Sequence, residues 1–169
     1  MSESTASLSP AELMYGDFAG EYASTRRMLE RYPDGKGDWQ PHPRSRSLSQ
    51  LATHVADIVY RGVAVLDSNG MESGSRPQIA NLDNAKQLLA HFESGLTRFN
   101  ALLSQATYEH LAQPWSLRRD GRVLLEFPRR VLLRQLMMSH HVHHRAQLGV
   151  YYRLVGVPVP GMYGPSADD

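Results

Sequence analysis

The chain has 169 residues, a formal charge of +1 from 18 basic and 17 acidic side chains, and no cysteine. That length suits one domain with a real apolar core, and the near-neutral charge gives no electrostatic case for nucleic acid or an anionic membrane as partner. Without cysteine there is no disulfide, thiolate metal site or cysteine nucleophile, so a metal centre must draw on histidine, carboxylate or water.

The opening MSESTASLSPAEL has no basic stretch leading into an apolar one, which makes the cytoplasm the expected location. Ser9-Pro10 is a helix start: serine caps, and proline in the first turn loses no hydrogen bond. Leu13, Met14, Phe18, Tyr22, Thr25 and Leu29 then recur at three- and four-residue steps, predicting a helix to about Tyr32. The prolines and glycines of PDGKGDWQPHPRSRS make a loop. Ser47, with Gln50 three residues on, opens a second helix in capping-box fashion; its seam is Leu48, Leu51, Val55, Ile58, Gly62 and Val65, ending near Asp67.

NGMESGSRPQIA reads as another loop, after which Asn81 or Asp83 can cap a third helix carrying Leu88, Leu89, Phe92, Leu96, Phe99 and Leu103. TYEHLAQP predicts a short helical turn, ended with the help of Pro114. Asp120-Gly121, between WSL and VLLEF, predicts a β-hairpin. Pro128 then begins a final helix to about Val155, followed by an extended tail. The expected fold is all-α, a four-helix bundle over residues 1–169 as a single domain, with a small β-hairpin inserted before the last helix. The connections are long enough to permit crossovers.

The final helix contains SHHVHHRAQL, four histidines in five positions. A core seam followed at four- and three-residue steps passes Leu133, Met137, His140, His144, Leu148 (or Gln147), Tyr151 and Val155. His140 and His144 share one helical face, a turn apart, while His141 and His143 fall on its flanks and are expected to face solvent or a dimer contact. On the second helix, Leu51, His54 and Ile58 keep the same rhythm, so His54 can also face inward. Three inward imidazoles are costly unless partnered, and neutral imidazole is a good ligand for a divalent metal. An HxxxH pair with a third histidine from a neighbouring helix makes a three-nitrogen set with positions left open. The metal-ligand candidates are thus His54, His140 and His144; the plainer alternative is a satisfied core histidine.

The stretch from His140 onward resembles the C-terminal signature of the DinB/YfiT-like family. It carries His140, His143, His144, Arg145, Gln147 and Leu148, then Tyr152, Arg153, Leu154 and Gly156, then Val159, Pro160, Tyr163, Gly164, Pro165, Ser166 and Asp168. PHPRSRSLSQLATHVADI, with Leu51-x-x-His54 after a proline-rich lead-in, matches a second family segment. The resemblance implies a four-helix bundle that binds a divalent ion, zinc or nickel among the options, through His54, His140 and His144. It also implies kinship with thiol-dependent S-transferases and a maleylpyruvate isomerase, and a tendency to homodimers.

Such a site could activate water or an incoming thiol, and without cysteine the thiol must come from a low-molecular-weight cosubstrate. The expected function is therefore a metal-dependent transferase or hydrolase acting on a small molecule. Non-catalytic metal or small-molecule binding, or a stress-response role, is the alternative. Asp57, Arg145, Gln147 and Tyr151 are candidates for the pocket or for holding the ligands in place, with Arg145 also able to bridge to an acid on a neighbouring helix. Trp39 and Trp115 are expected over the ends of the bundle, and the tail is expected to pack back along it. Arg118, Arg119, Arg122, Arg129, Arg130 and Arg134 could form a basic strip, but Asp120 and Glu126 interrupt it, so no nucleic acid is expected.

Overall fold

The computed structural model describes residues 8–75 and 79–168, apart from the side chains of Tyr15 and Asp17. The expectations for residues 1–7 and for the middle of the 69–80 loop lie outside the described residues. The chain is mostly helical, with a small three-stranded sheet.

Helix α1 runs Pro10–Glu30, and its start is the anticipated one: Ser9 Oγ accepts from the Glu12 N–H while the Glu12 carboxylate accepts from the Ser9 N–H. The reciprocal Ser47–Gln50 pair starts α2, Leu48–Asp57, in the same way. The predicted second helix is interrupted once, at Ile58, where the Arg61 N–H bonds back only three residues to the Ile58 carbonyl; α3 then spans Val59–Asp67. Helix α4, Ala85–Ser104, is capped by Asn84, whose side chain accepts from the Gln87 N–H at 2.9 Å. Neither Asn81 nor Asp83 takes that role; Asp83 accepts the Tyr32 hydroxyl at 2.6 Å instead. The short α5 covers Tyr108–Ala112.

The hairpin forms as β2, Pro114–Arg119, and β3, Arg122–Pro128. Asp120 and Gly121 both have positive φ, 52° and 73°, the two-residue turn whose twist suits the flanking strands. The loop predicted after α3 also contributes a strand, β1 at Gly70–Glu72, paired parallel to β2. Three residues are too few to display an alternating pattern, so only the pairing with β2 reveals it.

The final helix is not uniform. A single α-turn, α6 at Arg129–Leu132, leads into a π-helical stretch at Leu133–Ser139 before α7, His140–Leu154. A π-helical turn takes in one more residue than an α-turn, so the stripe facing the interior emerges later in sequence than an α-helical extrapolation places it. Phe18 stacks on Tyr22 within α1, and the two meet Phe92 and Phe99 of α4 edge-on at the centre of the core. Gly62 and Gly95 let α3, α4 and the π-helical stretch close together, since a Cβ at Gly62 would lie 2.2 Å from Met137 Sδ and one at Gly95 2.5 Å from Val59.

The tail packs back as anticipated. Tyr163 hydroxyl bonds the Glu21 carboxylate of α1, and Asp168 pairs with Arg153 of α7 at 2.8 Å. Trp115 is buried, its indole N–H donating to Ser68 Oγ, whereas Trp39 stands edge-on to Tyr151 at 5.5 Å between ring centres. Among the described residues no helix is long and apolar enough to cross a membrane.

Candidate metal centre

Helix α2 buries Leu51, Ala52, Val55 and Ala56, and His54 lies at the border of that face, half-buried. On α7 the fully interior stripe is His141, Arg145, Leu148 and Tyr152, which keeps Leu148 from the seam read from the sequence and otherwise runs one residue later. His140 and His144 therefore sit on the edge of the core facing α2, half-buried, and not on its centre line. That edge position is what a reactive site needs: sheltered on one side and open on the other.

The three imidazoles converge. His54 Nε2 and His140 Nε2 are 3.3 Å apart, and the ring centres of His54–His144 and His140–His144 are separated by 4.5 and 4.6 Å. One nitrogen from each of the three lies within 4.8 Å of the others, and among the described residues this is the group of side chains able to hold a metal ion. Two nitrogens bound tetrahedrally at about 2.0–2.1 Å from a zinc ion stand about 3.3 Å apart, the separation of the His54 and His140 Nε2 atoms, with the His144 nitrogen within 4.8 Å of both.

Two of the rings are already turned for this purpose. The His140 Nδ1–H donates to the Leu136 carbonyl at 3.3 Å, and the His144 Nδ1–H donates to Gln147 Oε1 at 2.7 Å. Each bond fixes the tautomer that leaves the Nε2 lone pair free for a cation. Burial is the main reason that His54 is pushed down to about 3 and His140 to about 4, with Arg46 and Arg61 respectively the next contributors. Burial also lowers His144, against the opposing pull of Gln147. All three are neutral at physiological pH, so a metal need displace no proton from them.

On the His54 side the cluster adjoins a cavity of about 540 Å³, lined by Arg46 from the loop before α2, by Gln50, Thr53, His54, Asp57 and Arg61 from the α2–α3 run, and by residues of β1, the segment after it and β2. The remaining sequence candidates fall into separate places. Asp57 lines this cavity and engages His91 Nε2 at 3.0 Å, while Gln147 holds a histidine of the triad. Tyr151 donates its hydroxyl to the Arg46 carbonyl at 3.2 Å, tying α7 to the loop that leads into α2. Arg145 is buried away from the cavity, bonded to the Glu21 carboxylate and carbonyl, Thr25 and Tyr163. Arg129 is likewise buried, donating to the Val65 carbonyl and Asn69 rather than joining an exposed basic strip.

The DinB family profile matches residues 1–169 of this sequence. The chain belongs to the DinB family. No curated protein sequence matches it. Three solved structures share the DinB fold with it. A DinB-like protein from Bacillus cereus is 24% identical, with a TM-score of 0.68 over 89% of this chain and 95% of that one. A DinB-like protein from Bacillus subtilis is 20% identical, with a TM-score of 0.65 over 85% and 92%. A protein from Exiguobacterium sibiricum assigned to the DinB family is 17% identical, with a TM-score of 0.61 over 96% and 99%.

Against sequence expectation, this DinB chain buries His141, whose Nε2 has no hydrogen-bond partner among the described residues and whose ring lies against Tyr22 and Phe92. His143 is the exposed member, its ring 4.8 Å from that of His144. Four- and three-residue steps from Met137 through His141, Arg145, Leu148 and Tyr152 would have found the true stripe, had an arginine been accepted as an interior residue.

Burial pushes His141 down to about 3 from 6.5. On acidification the unfolded chain therefore takes up the proton first. Its contribution to stability is whole above about pH 6.5 and drains away between there and about pH 3. Across that window the metal-free wild type is expected to lose stability with falling pH more steeply than His141→Phe, whose apolar ring takes up no proton, read by urea unfolding of both at stepped pH. Parallel profiles would contradict the burial.

Proposed function

We propose that this DinB-family protein is a metal-dependent enzyme built on a four-helix-bundle scaffold. In this reading it holds one divalent ion, zinc or nickel, through His54, His140 and His144, and transfers a low-molecular-weight thiol to a small electrophile. Hydrolysis is the plainer form of the same chemistry. A bound divalent ion would supply Lewis acidity, lowering the pKa of a thiol or water at neutral pH.

The observation that carries this reading is the convergence of three neutral imidazole nitrogens, one of them from His54, which lines a cavity of about 540 Å³. Among the described residues the set has three ligands, the pattern of a site that keeps a position for substrate, whereas structural sites close all four. The chain's own residues have distinct tasks. Leu136 and Gln147 hold His140 and His144 by their Nδ1–H groups. The pocket wall formed by α2, β1 and β2 admits a small molecule to the side of His54. The absence of cysteine supports a thiol that arrives as cosubstrate.

The test is elemental analysis of protein purified without a histidine tag, followed by a panel of small thiols and electrophiles. One equivalent of ion per chain is expected, with thiol consumption lost on chelation and regained on adding the ion back. Turnover unchanged after complete chelation would overturn the proposal.

A further inference from the structure

We propose that a second cavity, set between α1, α5 and the start of the final helical run, binds a free medium-chain fatty acid. Its lining shares no residue with the cavity beside His54, so the inference stands apart from the metal-enzyme reading.

Shape comes first. The cavity has a volume of about 480 Å³; α1 contributes Pro10, Leu13, Met14 and Phe18 to it, and α5 contributes Tyr108 and Leu111. Pro10, Phe18 and Leu111 are buried and form its floor, while Leu13 and Tyr108 are half-exposed and stand as its walls. The Tyr108 hydroxyl donates to the Leu8 carbonyl at 2.6 Å, which ties α5 to the chain ahead of α1 and satisfies the polar atom of that side chain. On these two sides the hollow is therefore hydrocarbon and aromatic ring.

Polarity is the second observation. The third side is the run from α6 into the π-helical stretch, and every charged or amide group of the lining comes from it: Arg130, Arg134 and Gln135. Among the described lining residues none is acidic. Arg134 is already engaged within the protein, so the exposed Arg130 is the cation assigned to a ligand. An apolar hollow with its polar groups gathered on one side matches a molecule that is hydrocarbon over most of its length and anionic at one end. A guanidinium takes both oxygens of a carboxylate in its planar fork.

Size and area narrow the occupant further. Sites for single small ligands run to about 300–1,000 Å³, and a cavity near the lower end of that range suits one unbranched chain. An inorganic anion would leave the apolar sides uncovered. A second copy of this chain would meet three half-exposed apolar side chains, Leu8, Leu13 and Tyr108, well short of the roughly 800 Å² per partner that a stable interface buries.

The test is calorimetric titration of the full chain with decanoate, kept below its micelle concentration. One equivalent is expected to bind, about tenfold more tightly than octanoate, because each further methylene adds buried apolar surface. Leu13→Glu, which sets a carboxylate in the apolar wall, is expected to weaken decanoate by about tenfold or more. Arg130→Gln is expected to weaken decanoate about fivefold and to leave decanol, its uncharged counterpart, unchanged. Both positions are exposed, so neither change threatens the fold.

Chelation of bound ions should leave decanoate affinity as it was. Loss of binding on chelation would put the acid on the histidine triad and overturn the proposal. So would failure of decanoate to bind, equal affinity for octanoate and decanoate, or wild-type affinity in either variant. A dimer that Leu13→Glu dissolves would make the groove a contact between copies, and that also overturns it.

Discussion

Replacing His54, His140 or His144 with alanine is expected to abolish stoichiometric retention of a divalent ion in each case. Small zinc sites gain roughly 10–16 kcal/mol from binding, so one of three or four ligands carries about 3–5 kcal/mol, or about a hundredfold to several thousandfold in affinity. Gln147→Ala should act more mildly, weakening binding by about 10–100-fold, because it frees the His144 ring without removing the ligand. His143→Ala, at an exposed position, should leave retention nearly intact. The measurement is ion content after dialysis, with competition against a chromophoric chelator for the affinities. Equal losses from His143→Ala and His144→Ala would show that the division between ligand and bystander is wrong.

Arg145→Met is expected to destabilise the protein by about 3–5 kcal/mol, the usual consequence of removing one partner from a buried ion pair. For a chain of this size that corresponds to a fall in Tm of roughly 10 °C. The guanidinium is 2% exposed and the Glu21 side chain 19%, so the carboxylate left behind is largely shielded from water. The same guanidinium also meets the Glu21 carbonyl, Thr25 and the Tyr163 hydroxyl, and in this way ties α1 and the C-terminal tail to α7. Lysine should not restore stability, since a single ammonium cannot span that set. Ion retention by folded Arg145→Met should match wild type, which separates a structural bridge from a role in holding the ion. A loss below about 1 kcal/mol would instead describe a solvent-screened pair.

The three-histidine set was legible in the sequence for a reason independent of the exact seam. His140 and His144 share a face at i and i+4 wherever that face points, and His54 falls on a helix capped unmistakably by Ser47 and Gln50. The assignment of His141 failed because it depended on the absolute rotation of the last helix, and the π-helical Leu133–Ser139 stretch alters that rotation. Arg145 deepened the error: its bridge to an acid on a neighbouring helix was anticipated and is made to Glu21, 124 positions earlier in the chain, but its place on the interior stripe was not. Strand β1 was missed on similar grounds, since its hydrogen-bond partners lie in β2.

What the sequence determined alone was everything set by neighbours a few positions apart: the helix starts at Ser9 and Ser47, the Asp120-Gly121 turn, and the pairing of His140 with His144. Capping, turn chirality and helical period act within one or two turns of chain, so local spacing is enough to fix them. The tertiary structure decided which face of α7 enters the core, where Asp57 and Arg145 find their partners, and which two arginines border the cavity next to His54. Those depend on contacts between residues dozens of positions apart, and the energy of a buried charge or an open metal site is set by the whole surroundings rather than by neighbours in sequence.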